Sequence, residues 1–185
     1  ATLDFTYLKN NLLRTAANGT CTVSNGWNLA GRLTDVKVSG LVSTPLSLTY
    51  ADVLALPAVE DNSPFECVEG WRVPQNRWKG VTVGALLARA VVMPQARFVS
   101  FYAGDFAMSL TLEEARTTGV LLAYGLDGAP LAPEHGAPLR LGVPGKDCYY
   151  GIKWVERMEL ALEPVETGKA IALGRIQRRR QAAAP

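Results

Sequence analysis

Along the chain, hydrophobic and polar positions alternate in short runs and seldom hold a helical period. Val36 and Val38 alternate with Asp35, Lys37 and Ser39 up to Gly40, the pattern of a strand with one buried face. Leu46 and Leu48, after Pro45, predict a shorter strand. Thr49 can then cap a brief helix through Leu56, with Asp52 at its third position and Pro57 stopping it. Residues 65–69 read as a strand running into Gly70-Trp71-Arg72, and residues 83–90 have the leucine and alanine content of a short helix. Residues 97–103 and 107–110 predict strands paired about Gly104-Asp105, and Thr111 with Glu114 forms a capping box for another short helix. Residues 120–124 and the Asp127-Gly128 turn predict a further hairpin. Residues 138–143 and 153–162 complete the series, the last as an amphipathic strand. Short helices among many strands argue against a doubly wound parallel sheet and for a single α+β domain with mixed sheets. The expected division is an N-terminal arm over 1–33, with turns at Asn18-Gly19 and Asn25-Gly26, a domain over 34–165, and a basic tail over 166–185. That tail, with Arg175, Arg178, Arg179 and Arg180, reads as solvated, with contact to an acidic partner or membrane surface as the alternative.

Composition narrows the possibilities by exclusion. At 185 residues, 48% hydrophobic and 19% charged, the chain can bury one sizeable core and has little room for two. Nineteen basic against 17 acidic residues give a net charge of +2, too balanced for a dedicated nucleic-acid binder. No apolar run approaches the roughly 20 residues of a membrane span. Cys21, Cys67 and Cys148 are an odd number at wide spacing, which gives neither a disulfide framework nor a zinc signature and leaves at least one thiol free. A single histidine, His135, rules out a bis-histidine haem or a three-histidine zinc site within one chain. The phosphate, dinucleotide, serine-hydrolase and zinc-peptidase motifs are absent. A Cys-His hydrolase would need Cys67 or Cys148 to meet His135 in space, and neither thiol has a local signature for it.

Three blocks stand out together. They are Phe65-Glu66-Cys67-Val68-Glu69-Gly70-Trp71, then His135-Gly136-Ala137-Pro138-Leu139-Arg140-Leu141, then Pro144-Gly145 running to Gly151-Ile152-Lys153-Trp154-Val155. In this order and spacing they resemble the molybdopterin-binding domain of the sulfite oxidase-like oxidoreductases, which include sulfite oxidases, plant-type nitrate reductases and the methionine sulfoxide reductase catalytic subunit. The resemblance covers residues 34–162 and includes Trp78-Lys79-Gly80-Val81. It implies a sulfite oxidase-type fold and a molybdenum cofactor in the form without an attached nucleotide. It implies that Cys67 gives molybdenum a soft anionic sulfur. His135 and Arg140 would hold the pterin phosphate, Arg140 through its fixed fork of donors, and Gly151, Ile152 and Lys153 would add backbone contacts and a second cation. Residue by residue, ordinary explanations stay open: an inert buried thiol at Cys67, a turn-capping loop histidine, a surface ion pair at Arg140, an edge strand beginning at Lys153.

On reaction type, the resemblance implies oxygen-atom transfer on a small sulfur oxyanion or an S- or N-oxide. Arg72, five positions after Cys67, matches a substrate-binding arginine of sulfite oxidases, but Cys67-Val68-Glu69-Gly70-Trp71 is nearer the methionine sulfoxide reductase loop. Those reductases carry a threonine where Ala103 aligns and a catalytic tyrosine after the lysine block, whereas this chain has no tyrosine after Tyr150. Tyr149 or Tyr150 could offer the phenol instead, or simply pack together. With no haem domain in 185 residues, the expected electron partner is a separate cytochrome or membrane quinone protein, and the expected state a monomer. Many relatives with this cysteine loop are exported folded, so Ala1 could follow a cleaved leader, and cytoplasmic members exist as well; the expected compartment is the periplasm, with the cytoplasm as alternative. The competing function is a cofactor-binding or docking module without turnover.

Overall fold

The computed structural model describes residues 4–7, 13–17, 22–24, 35–68 and 70–182. The first of these segments form an antiparallel meander, β1 (Asp4–Tyr7), β2 (Leu13–Ala17) and β3 (Thr22–Ser24), where sequence suggested only an arm. The predicted turn pairs, Asn18-Gly19 and Asn25-Gly26, lie outside the described residues.

From residue 35 onward the strands build two five-stranded sheets. The first runs β5 (Leu46–Leu48), β4 (Val36–Gly40), β13 (Arg157–Ala161), β8 (Phe98–Ala103), β9 (Phe106–Thr111). Its only parallel pair among the described residues is β4 with β13, which joins two segments far apart in sequence. The second runs β11 (Ala129–Pro130), β10 (Leu121–Leu126), β7 (Arg72–Thr82), β6 (Val59–Glu66), with β12 (Arg140–Gly142) pairing β10 beyond β11. Mixed sheets with short helices make this an α+β fold, as the sequence pattern implies.

The alternation seen in sequence is the alternation of burial. Val36 and Val38 are fully buried, and β10 is buried on both faces. Leu122 enters the main core with Leu86, Phe101, Met108, Leu139 and Met158, whereas Leu121 and Ala123 point into a smaller cluster with Trp78 and Leu131. Short helices seal the main core at the predicted places: α1 (Tyr50–Leu54), with the Thr49–Asp52 capping box, α2 (Val83–Ala90) and α3 (Leu112–Ala115), with the Thr111–Glu114 box. α1 stops two residues short of the predicted Leu56.

Three further segments differ from expectation. The strand expected over 153–162 is confined to β13, with Trp154 at a left-handed φ of 60° before it. Residues 65–69 are not one strand continuing into Arg72. β6 begins earlier, at Val59, and ends at Glu66, and the chain turns at Cys67 and returns as β7. The turn closes through Gly70 N–H to Cys67 O (2.8 Å) and Cys67 N–H to Trp71 O (2.9 Å). Pro64 and Pro74, which lack donors, lie where the β6–β7 register slips, between Ser63 and Phe65, as prolines in sheets do. The basic C-terminal segment folds as helix α4 (Thr167–Ala182). Thr167 Oγ1 accepts from Ala107 N–H and donates to Asp105 O, which ties the start of α4 to the β8–β9 turn. No described helix is long and apolar enough to cross a membrane.

Candidate cofactor site

The three sequence blocks converge at one end of the second sheet. Cys67 opens the β6–β7 turn, Arg140 begins β12, and residues 144–151 loop over them to a 3-10 turn at Cys148–Tyr150. Pairing of the last two blocks is direct. Arg140 bridges Lys153, Leu141 N–H donates to Ile152 O (2.8 Å), and Val155 N–H donates to Leu139 O (3.0 Å). A cleft between these elements is lined by Phe65, Glu66, Trp78, Arg140, Asp147 and Cys148, among others; Cys67, His135 and Lys153 do not line it. A wider cleft of about 460 Å³ beside α2 offers Arg116 but no thiol, carboxylate or histidine.

Arg140 is the site's central charge. It is only 7% exposed, and its guanidinium lies 4.9 Å from the Trp78 ring centroid and 5.2 Å from that of Phe65. Its hydrogen bond is from Nη1 to His135 O (3.2 Å), and no carboxylate among the described residues pairs with it. Burial pulls its pKa down to about 10, with Cys148 acting in the opposite sense, so it remains a cation at neutral pH. Aromatic faces offset part of the desolvation cost, but no anion among the described residues meets this buried cation. Gly151 keeps the approach open: a Cβ there would stand 3.3 Å from both Arg140 Nη2 and Cys148 O.

The sulfurs meet beside this charge. Cys148 Sγ donates toward Cys67 Sγ at 3.4 Å, and both thiols are free and half-buried. Burial pushes the Cys148 thiol up, against the Val68 backbone N–H that favours its thiolate. Cys148 was visible in sequence only as a thiol with no assignment; nothing short of the fold brings it across 81 positions to Cys67.

The other expected site residues fall into two groups. His135 contributes its carbonyl, while its side chain is exposed at the end of a 3-10 turn (Pro133–His135). Gly136, at φ 106° with a virtual Cβ only 2.8 Å from Lys153 Cβ, lets the two blocks close. Lys153 donates from Nζ to Glu134 O (2.5 Å), and burial, then Arg140, lowers its pKa. Gly151 N–H and Ile152 N–H are used within the chain, by Cys148 O and Tyr150 O, and the Ile152 side chain is core. Arg72, by contrast, is outside the cleft, paired with Glu66 (3.3 Å) at an exposed strand end. Tyr149 donates to Asp147, which with burial raises its pKa to about 12, and its ring packs on Tyr150 at 5.3 Å; neither tyrosine lines the cleft. Ala103 is buried in β8.

Sequence reasoning missed Phe65 and Trp78 as the platform under Arg140; their spacing from each other follows from β7, which was not foreseen. It also missed Asn76, 7% exposed on the same face of β7 as Trp78, whose Nδ2 has no partner among the described residues.

The family model for the oxidoreductase molybdopterin binding domain matches residues 31–168. The chain belongs to that family. It is 34% identical over 138 residues to the uncharacterized oxidoreductase YuiH of Bacillus subtilis, covering 74% of this chain and 66% of that protein. It is 32% identical over 159 residues to the protein-methionine-sulfoxide reductase catalytic subunit MsrP of Gluconobacter oxydans, covering 74% and 50%. Similarity to the NADPH nitrate reductase of Fusarium oxysporum is 28%, over 70% of this chain and 17% of that one. Among solved structures, the sulfane dehydrogenase SoxCD of Paracoccus pantotrophus superposes with a TM-score of 0.68 at 25% identity, covering 87% of this chain and 51% of that chain. The molybdopterin-binding chain thus spans two thirds or less of these relatives' length, and it shares the sulfite oxidase-type fold of SoxCD.

The residues present fit such a cofactor. A buried cation that pairs with no carboxylate among the described residues suits a phosphate, the Cys148–Cys67 sulfurs next to it suit a soft metal, and Gly151 puts no side chain between Arg140 and Cys148. Among the described residues no three metal-ligating side chains converge, so the chain offers sulfur and not a protein cage.

Proposed function

We propose that the chain catalyses oxygen-atom transfer on a small sulfur oxyanion or an S- or N-oxide, using a molybdenum cofactor without attached nucleotide and exchanging electrons with a separate protein. The observation that carries this reading is Arg140, a buried cation that no carboxylate among the described residues pairs with, beside the Cys148 sulfur that in turn meets Cys67. When bound, the cofactor supplies a metal that cycles between oxidation states and accepts or gives an oxygen atom.

The chain's own residues bind and orient. Cys67 gives the metal its one protein thiolate, and the β6–β7 turn fixes its position. Arg140 holds the pterin phosphate by charge-assisted hydrogen bonds, aimed by its contact with the His135 carbonyl. Lys153 adds positive charge from the neighbouring segment. Trp78 and Phe65 keep water from the guanidinium and so strengthen its attraction for an anion. The catalytic unit is residues 34–165. MsrP is by name a catalytic subunit, which supports a separate electron-transfer partner such as a cytochrome or membrane quinone protein. The compartment that goes with this reading is the periplasm.

One observation favours the second reading, a cofactor-binding module without turnover. Arg72, Tyr149 and Tyr150, the residues expected to handle substrate, do not line the cleft themselves and are engaged by its rim residues Glu66 and Asp147 and by each other.

The deciding experiment compares wild type with Cys67→Ser after expression in a host that makes the cofactor. Near-stoichiometric molybdenum and pterin in the wild type, with metal lost in the variant, is the expected result; folded wild type without either sinks the reading. Reoxidation of the dithionite-reduced protein by a sulfoxide, or bleaching of the oxidised protein by sulfite, separates the enzyme from the silent module.

A further inference from the structure

We propose that Cys67 and Cys148 form a reversible dithiol–disulfide pair that decides whether the Cys67 sulfur is free to bind metal; the consequence for metal rests on the cofactor reading above. The two sulfurs stand 3.4 Å apart although 81 positions separate them in the chain. A disulfide needs about 2.05 Å, so the pair must close by only ~1.4 Å.

Both partners belong to turns that can give that distance. Cys67 opens the β6–β7 turn, beyond the last ladder pair of Glu66 with Arg72. Cys148 begins a single 3-10 turn at the end of the 144–151 loop, outside every strand of the second sheet. Neither thiol is sealed in the core. Both are half-buried, and Cys148 lines the cleft, so a small-molecule disulfide such as glutathione disulfide can reach the pair.

The step balances without any other reagent. One thiolate attacks the small disulfide, forming a mixed disulfide and releasing one thiol. The second protein sulfur then attacks the mixed disulfide, the Cys67–Cys148 bond forms, and the second small thiol leaves. The protein loses two protons and two electrons, and the oxidant is reduced to two thiols. In the linked state Cys67 has no thiolate to offer a metal, and the β6–β7 turn is tied to the 144–151 loop. The chain then takes up molybdenum only when reduced, and bound metal in turn withholds Cys67 from oxidation.

The test uses the full chain made in a host strain unable to synthesise the pterin. It is equilibrated with glutathione disulfide, then alkylated and mapped by mass spectrometry. Two of the three thiols should disappear, the chain should become two hydrogen atoms lighter, and one peptide link should join Cys67 to Cys148. Dithiothreitol should reverse all three changes, and Cys148→Ser and Cys148→Ala should abolish the link. Pre-oxidised wild type, offered cofactor released from another molybdoprotein, should take up no molybdenum until reduced. Three thiols that stay reactive, a stable mixed disulfide with glutathione, a link through Cys21, or undiminished molybdenum uptake by the linked chain would each overturn the proposal. The two readings fail separately: a chain that forms the link but takes up neither metal nor pterin when reduced keeps the pair and loses the cofactor.

Discussion

The two large sheets bury similar apolar residues against one core but treat their buried polar groups in opposite ways. In the β5–β4–β13–β8–β9 sheet, Ser100 and Ser109 are directly opposed and bond at 2.8 Å. Ser109 also serves the Val165 backbone, donating to its carbonyl (3.0 Å) and accepting from its N–H (2.6 Å). In the β6–β7–β10–β12 sheet, Arg140 is buried without a counter-charge and Asn76 Nδ2 has no partner among the described residues. Buried polar groups in native proteins are nearly always satisfied, because each unmet one costs about 1–3 kcal/mol. The first sheet obeys this within the chain. The second leaves the demand open, and at Arg140 it does so on the lining of the cleft, where a ligand can meet it.

The sharpest way to break that contrast is to remove the unmatched charge. Arg140→Met keeps the aliphatic stem against Trp78 and Phe65 but deletes the guanidinium. Losing two charge-assisted hydrogen bonds to a phosphate is worth about 3 kcal/mol, roughly 100-fold in cofactor retention, read as pterin fluorescence per chain after purification. The cofactor-free chain should melt no lower than wild type, because a buried cation replaced by an apolar group of similar volume is neutral or stabilising. Unchanged pterin retention together with a large fall in melting temperature would make Arg140 a structural residue.

Gly136→Ala tests the closure of the same site from the backbone. The position combines a left-handed φ with a Cβ that would meet the Lys153 backbone at 2.9 Å. Left-handed strain and overpacking together should cost about 2–3 kcal/mol, visible in urea unfolding, with Lys153 and its bridge to Arg140 displaced and pterin retention reduced. A variant as stable as wild type would mean that the 136–141 and 151–155 segments can part without loss.

Ser109→Ala is the matching cut in the satisfied sheet. It leaves Val165 N–H and Ser100 Oγ without their partner and should destabilise by about 1–2 kcal/mol. Cofactor retention should stay intact, since Ser109 is on the far sheet. A loss of pterin here would erase the distinction between the two sheets.

What could be read in advance follows the same division. Elements whose information is local, such as the Thr49–Asp52 and Thr111–Glu114 capping boxes, helix Val83–Ala90 and the Val36–Val38 alternation, match the sequence reading closely. β7 did not announce itself, because Arg72 and Asn76 on one face and Gln75 and Arg77 on the other make its first half polar, Pro74 interrupts it, and its partner strand carries Pro64 at the register slip. α4 was read as a solvated tail because its arginines dominate; the tether through Thr167 and the close seat of Gly168 on Phe106 are tertiary. The cysteine, arginine and lysine blocks were legible through their resemblance to a family. Cys148 beside Cys67, and the two rings under Arg140, were not, since each depends on contacts between distant strands.

The smallest expected effect belongs to the ion pair that steadies the cleft loop. Lys146 Nζ lies 2.5 Å from Glu114 Oε1 and 5.0 Å from the centre of the Tyr150 ring, joining the 144–151 loop to α3. Lys146, ahead of the Thr111 backbone N–H, lowers the Glu114 pKa, and Glu114 raises that of Lys146. A carboxyl depressed in the folded state stabilises above its unfolded pKa, and that contribution disappears as pH falls through the depressed folded value. Both side chains are about a third exposed, at 34% and 37%, so screening by water holds the pair to a few tenths of a kcal/mol. Lys146→Gln should therefore lower the melting temperature slightly at pH 7, and the difference from wild type should vanish once acid has protonated Glu114. A difference that persists unchanged into acid would assign the role of Lys146 to its packing on Tyr150 in place of its charge.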